Sequence, residues 1–360
     1  MRELNSMLHE LAERAGSDLH LKAGSAPLAR IDGVLFRLGD ERLSAGDTDA
    51  VARQICPQER LQELHHRGAT DFAYGVPGLA RFRVNAFRQR GSVSIVMRLV
   101  RVGSASLEEL GLPPVVHRLA EEPRGLVLVT GPTGSGKTTT LAAMIDHINE
   151  TRPCHIVTIE DPIEVLHPDR MAAVNQREVS VDCESFIDAM RSAMRQDPDV
   201  ILIGEMRDAE TVQAALAAAE TGHLVLSTLH TIDAQETVNR VVDFFPPYQQ
   251  HQVRVTLSGA LRGILCQRLV PRKGGGRVPA LEVMINTGRT AERIVDPGRT
   301  SEIMEVIADG GFYGMQTFDQ ALLDLVRRDL VEPQEAVEAA SQRHDFELAL
   351  QQAGIALPVG

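Results

Sequence analysis

Apolar residues recur at helical spacing from Leu4 through Met7, Leu8 and Leu11 to Ala15, so the chain opens on an amphipathic helix that Gly16 ends. Short alternating or β-rich segments follow: DLHL (18–21), LARIDG (28–33), ARFRVNAF (80–87) and SVSIVMRL (92–99), with a second helical stretch near 45–66 between them. Together they predict a small α+β domain over residues 1–100. The stretch RVGSASLEELGLPP (101–114) combines Gly, Ser and a Pro pair and reads as a connection, which puts a linker at 101–115.

From residue 116 the period changes. Short, nearly apolar segments alternate with helical ones: LVLVT (126–130), HIVTI (155–159), VILIG (200–204) and HLVLST (223–228). A strand buried on both faces is apolar throughout, so the pattern predicts an α/β domain with a parallel sheet covered by helices, over 116–360. After about 250 the pattern is mostly helical. One further strand is expected at ALEVMI (280–285), and a helical extension runs from about 286 to 360. No internal repeat is visible.

The first of these strands runs into GPTGSGKTTT (131–140), a full match to GxxxxGK[ST]. Glycines let backbone N–H groups turn inward around phosphate oxygens, and the helix that starts here adds its positive end. Gly131, Pro132, Thr133, Gly134, Ser135, Gly136, Lys137, Thr138 and Thr139 are therefore the candidate nucleotide-binding residues. Lys137 reaches the β and γ phosphates of ATP, and Thr138 holds Mg²⁺.

Such a loop needs a metal-ordering acid at the end of a neighbouring strand. In VILIGEMRD (200–208) Glu205 follows the strand at the edge where open α/β sheets bind ligands, and it can steady Mg²⁺ through water. A second acidic group, TIEDPIE (158–164), ends another strand with Glu160, Asp161 and Glu164. Hydrolysis needs a base that orients water in line with the γ-phosphate, and position alone does not choose among these three. The strand in GHLVLSTLHT (222–231) has His223 before it and His230 after it, and either could sense the phosphate or link the strand to the acids.

Composition narrows the class. A formal charge of −12, no Trp and 4% aromatic residues leave little for general attraction to nucleic acid or for stacking on bases. The basic clusters ARFRVNAFRQR and PRKGGGR (271–277) are what a nucleic-acid translocase would have to use. Cys56, Cys154, Cys183 and Cys266 are scattered without a CxxC pair, which argues against a disulfide framework and against zinc. No run approaches eighteen apolar residues and MRELNSMLHELAER is too charged for a secretory core, so the expected location is cytoplasmic.

GPTGSGKT, TIEDPIE, VILIGEMRD and GHLVLSTLHT together closely resemble the Walker A, Asp box, Walker B and His box of the secretion-type hexameric ATPases. Within that superfamily the chain is similar to the type IV pilus retraction ATPases, the PilT family. The likeness extends over GSDLHLKAG, ARFRVNAF, VNQREV, RVVDFFP and YGMQTFDQALL (313–323). Assembly ATPases of pilus and type II secretion systems usually carry an additional N-terminal domain and a tetracysteine segment, for which this sequence has no counterpart.

The resemblance implies a PAS-like first domain, a RecA-like second domain and a homo-hexameric ring. It makes Glu164 the water-activating base, Glu205 the Walker B acid, and His223 and His230 the His-box pair. It also implies arginines reaching the nucleotide from the first domain. Alternation puts Arg81 and Arg83 on one strand face, opposite Phe82 and Val84, and Arg98 is the next candidate. The partners it implies are an inner-membrane pilus platform protein and, as a further candidate, a second pilus ATPase. One stretch departs. Where the family has AIRNLIRE, associated with retraction, this chain has RTAERIVD (289–296), which leaves an accessory ATPase of the PilU kind, a diverged lineage, or an assembly ATPase of a pilus or type II secretion system as alternatives.

Overall fold

The computed structural model describes residues 3–355, so Met1 and Arg2 of the first expected domain and residues 356–360 of the helical extension lie outside it. The chain forms two compact units, one up to Val102 and one from Gly103.

In the first unit, helix α1 (Leu4–Glu13) turns Leu4, Met7, Leu8 and Leu11 into the core. It ends before Ala15, which is exposed at φ 51°. The expected helical stretch 45–66 is two helices, α2 (Ala45–Ile55) and α3 (Gln58–Arg67), because Pro57 between them has no N–H to continue a ladder. Ser44 opens α2 with a capping box to Asp47. Six strands, β1 (Asp18–Lys22), β2 (Leu28–Ile31), β3 (Val34–Arg37), β4 (Ala69–Val76), β5 (Ala80–Gln89) and β6 (Ser92–Leu99), make one antiparallel sheet in the order β3-β2-β1-β6-β5-β4. Period two along β5 buries Phe82, Val84 and Ala86 and leaves Arg81, Arg83 and Asn85 on the other face. This is the α+β unit that the sequence predicts.

The stretch expected as a linker belongs to the second unit beyond Val102. Leu107 and Leu112 are buried in that unit's core with Val116 and Leu119 of helix α4 (Val115–Ala120), so its Gly and Pro residues shape a packed turn.

The second unit is built on seven strands: β7 (Gly125–Thr130), β8 (His155–Glu160), β9 (Ala173–Glu178), β10 (Val200–Ile203), β11 (Leu224–Leu229), β12 (Leu261–Pro271) and β13 (Arg277–Ile285). Their order is β9-β8-β10-β11-β7-β12-β13, parallel except for the β12–β13 hairpin at one edge. Both faces are covered. One core holds Leu126, Leu128 and Ile201 with helices α6 (Phe186–Ala193), α7 (Ala209–Glu220), α8 (Ala234–Asp243), α9 (Pro247–Ala260) and α11 (Ile303–Asp309), and the other holds Val127, Val129 and Leu202 with α5 (Lys137–Thr151).

Two strands of this sheet were not expected from periodicity, as β3 and β4 were not in the first unit. LRGILCQRLVP reads as helical but forms β12, because a strand buried on both faces has no alternation to display. β9 is polar because it closes the sheet's other edge. The basic cluster PRKGGGR is the hairpin turn, in which Gly274, Gly275 and Gly276 all take positive φ. Beyond it, helix α12 (Phe318–Arg327) packs on the hairpin, and the Arg268 guanidinium sits 3.9 Å over the Phe318 ring.

Candidate nucleotide site

The loop 131–136 leaves β7 at the carboxyl edge of the sheet and feeds α5, whose N-cap Gly136 has φ 92°. Glycine is obligatory at two points. A Cβ on Gly131, at φ 142°, would lie 2.4 Å from the Gln267 carbonyl oxygen, and one on Gly136 would lie 2.7 Å from the Gln267 amide nitrogen. The loop is thus moulded on β12. Gln267, buried there, donates from Nε2 to the Ser135 carbonyl at 2.8 Å and accepts from the Thr140 hydroxyl at 2.7 Å.

Lys137 Nζ donates to the carbonyl oxygens of Gly131 at 2.7 Å and Pro132 at 3.1 Å. Burial lowers its pKa, and the negative charge of Glu205 pulls it back up. His230 stands between the two. Its Nδ1 is 3.5 Å from Lys137 Nζ, and its Nε2 is 3.2 Å from Glu205 Oε1. In that arrangement Nε2–H is placed to donate to the carboxylate and the Nδ1 lone pair faces the ammonium. The other oxygen of Glu205 accepts from Arg207 Nε at 2.9 Å, and Arg207 lies 3.8 Å from Asp161.

These groups meet because β8, β10, β11 and β7 are consecutive neighbours, so their carboxyl ends form one row. The row lines a cavity of about 640 Å³ whose walls include Lys137, Thr138, Glu164, Glu205 and His230.

The structure separates the three acids of TIEDPIE. Glu160 is 9% exposed; burial raises its pKa, against hydrogen bonds from Thr158 at 2.7 Å and Gln176 at 3.2 Å. Asp161 faces Arg207. Glu164 is exposed on the cavity wall.

His223 is not part of this group. It precedes β11, at the end next to Gly125 where β7 begins, with its Nδ1 2.9 Å from the Ala218 carbonyl oxygen. The full length of β11, roughly 20 Å at about 3.3 Å per residue, separates it from His230. Of the two histidines, either of which could serve the phosphate by sequence, this unit brings His230 to the cavity and leaves His223 at the other edge, since a strand's two ends open on opposite edges of the sheet.

Among the three candidate arginines of the first unit, Arg98 on β6 donates from Nε to Asp18 Oδ1 at 2.7 Å. Burial pushes Asp18 up, but the Ser17 hydroxyl and the Arg98 guanidinium together hold its carboxyl below the usual value. Arg81 and Arg83 share the polar face of β5.

Periodicity and motif spacing missed Gln267, which carried no motif, and Arg277, a cavity-wall residue noted only as one of a basic cluster. Among the described residues no cluster of three or more His, Cys, Asp or Glu side chains could cage a metal ion, the four cysteines are free, and no helix is long and apolar enough to cross a membrane. Mg²⁺ fits the donors present nonetheless. Thr138 and Glu205 offer hard oxygen ligands, and a cation that binds with nucleotide phosphates and keeps its waters needs no protein cage.

The family model for type II/IV secretion system proteins matches residues 1–306. The type IV pilus retraction ATPase PilT of Pseudomonas aeruginosa is 45% identical over 96% of this chain and 100% of its own length. The type IV pilus ATPase PilU of the same organism is 38% identical over 97% of this chain and 91% of its own. A crystal structure of the pilus retraction motor PilT with bound ADP superposes with a TM-score of 0.88 at 45% identity, covering 97% of this chain and 100% of that one. With a phosphate loop, a lysine–histidine–glutamate bridge and this likeness over nearly its whole length, the chain is an ATPase that belongs to the type II/IV secretion system protein family and, within it, to the PilT group of retraction ATPases.

Proposed function

We propose that the chain is one subunit of a homo-hexameric ring that hydrolyses ATP to power type IV pilus retraction from the cytoplasmic face of the membrane. The observation that carries this reading is the contiguous row Lys137–His230–Glu205 on the cavity wall, with Glu164 lining the same cavity.

The backbone N–H groups of 131–136 and the start of α5 bind the phosphates, and Lys137 exchanges its loop carbonyls for phosphate oxygens. Thr138 and Glu205 are the residues that would hold Mg²⁺, which when bound neutralises charge developing on the phosphates. Glu164 orients the attacking water and takes its proton. His230 keeps the lysine and Glu205 in register, so that each senses the other's state. Arg81, Arg83 and Arg98 are the arginines assigned to the nucleotide from the first unit, where planar guanidinium groups suit developing phosphate charge. Closure and reopening around nucleotide then do work on neighbouring subunits and on a pilus platform protein in the inner membrane.

Helix α10 (Gly288–Val295) favours a second reading, an accessory ATPase of the PilU kind that works beside a second pilus ATPase. Its sequence departs from AIRNLIRE, and its side chains are used internally: Arg293 pairs with Glu302 at 3.1 Å and Ile294 is fully buried.

Purified protein decides the enzymology and the cell decides the direction. Lys137→Ala should abolish hydrolysis, whereas Glu164→Gln should abolish turnover and spare ATP binding. Deleting the gene should leave cells with excess surface filaments; cells without filaments would reassign the motor to assembly, and unchanged filaments to an accessory role.

A further inference from the structure

Behind the acidic loop lies a buried polar junction that the reaction as described does not use. His167, with 2% of its side chain exposed, places Nδ1 2.6 Å from Asp146 Oδ1, where its N–H donates to the carboxylate. Asp146 is on α5, the helix that begins at the phosphate loop. Its other oxygen accepts the Ser104 backbone N–H at 2.7 Å, and Gly103 N–H donates to the Leu166 carbonyl at 2.8 Å. Burial raises the Asp146 pKa, but His167 and Ser104 outweigh it and hold the group ionised.

The same short segment is tied a second time, to the sheet. Gln176 on β9 donates to the Val165 carbonyl at 2.9 Å and to Glu160 Oε1 at 3.2 Å, and its own oxygen accepts the His167 backbone N–H at 2.9 Å. The loop that carries Glu164 therefore starts at the end of β8 and returns to a segment, 165–167, fixed to β9 by one side chain and to α5 by another. Glu178 on β9 adds a tie ahead of Glu164, its Oε2 accepting the Ile163 N–H at 3.4 Å, and Asn149 on α5 adds one after it, donating to the Pro168 carbonyl at 2.8 Å; of the ties to α5, the His167–Asp146 bond is the nearer in sequence to Glu164.

We propose that His167 and Asp146 are positioning residues for Glu164: their buried hydrogen bond locks the base-bearing loop to the phosphate-loop helix, and the remaining Asp146 oxygen bonds the chain just after the boundary with the first unit to the same point. This rests on the assignment of Glu164 as the base. Two buried partners that satisfy each other hold a unique geometry, and displacement of a reacting group by about 1 Å costs up to about 100-fold in rate.

The test is a double-mutant cycle on the full-length protein. His167→Ala should lower kcat about 10- to 100-fold, while affinity for a fluorescent methylanthraniloyl-ADP stays within about threefold. Combined with Glu164→Gln, His167→Ala should produce no further fall in residual single-turnover phosphate release, since both act through one group. His167→Asn, which presents an N–H where Nδ1 stood, should recover turnover, and Asp146→Asn, which keeps the shape but cannot accept both hydrogen bonds, should mimic His167→Ala. Losses that multiply in the double variant, ADP affinity that falls in step with kcat, or no rescue by His167→Asn would each overturn the proposal. If His167→Ala does not fold, the cycle of Asp146→Asn with Glu164→Gln decides by the same criterion. Normal turnover in Glu164→Gln would instead remove the base assignment, a distinct result.

Discussion

Gln267 donates its side-chain N–H to the Ser135 carbonyl at 2.8 Å, and in doing so makes a strand far along the sequence part of the phosphate loop. Its oxygen takes the Thr140 hydroxyl, so one buried amide fixes both the loop and the first turn of α5. Gln267→Leu leaves a buried carbonyl and a buried hydroxyl unsatisfied, at a cost of about 1–3 kcal/mol each. The expected outcome is a lower unfolding midpoint together with weaker ADP binding, read by thermal unfolding with and without ADP. Stability loss without any change in ADP affinity would limit Gln267 to packing.

The two histidines flanking β11 should behave differently. His230→Ala removes the ring between Lys137 and Glu205 and should lower kcat by about 10-fold or more, with nucleotide binding retained, as expected of a group acting in the hydrolytic step. His223→Ala removes a contact to the Ala218 carbonyl oxygen at the far end of the strand. Its effect should appear in stability, with ADP affinity unchanged; steady-state kinetics and ADP titration of both variants check this.

Stability should carry a signature of Glu282. This residue, on β13, is 1% exposed, and one of its oxygens accepts the Ala234 N–H at the start of α8 at 2.8 Å. Burial, reinforced by the charge of Asp233, pushes its pKa from 4.5 up to about 7. The folded state therefore binds more protons than the unfolded state between those values, so stability falls as pH rises through this window and the loss is complete above about 7. The span corresponds to roughly 3 kcal/mol. Thermal unfolding from about pH 5 to pH 8 should show a downward slope that is shallower in Glu282→Gln; equal slopes would contradict the raised pKa.

Arg98 can be tested apart from its structural partner. Arg98→Gln removes the 2.7 Å ion pair of the buried Asp18, with Arg30 left 3.8 Å away, and should destabilise the first unit by about 1–3 kcal/mol after allowance for solvent around the arginine. Adding Asp18→Asn removes the stranded charge and should restore the unfolding midpoint. ATP turnover that stays low in the restored double variant assigns Arg98 to the nucleotide; turnover that returns with stability assigns it to Asp18 alone.

Local chemistry was legible wherever it is written in consecutive residues. The loop from Gly131 to Thr139, the apolar strands leading to it and to Glu205, and the alternation that sets Arg81 and Arg83 opposite Phe82 could be read directly, since backbone conformation and side-chain direction there depend on near neighbours. The order of strands could not. Only β8, β10, β11 and β7 lying side by side bring Glu164, Glu205, His230 and Lys137 to one cavity and carry His223 away from it. The same holds for Gln267 under the phosphate loop, for Glu160 buried while Glu164 is exposed, and for Asp146 holding His167. Each depends on burial and on contacts between residues distant in sequence, which are properties of packing that no short window of residues encodes.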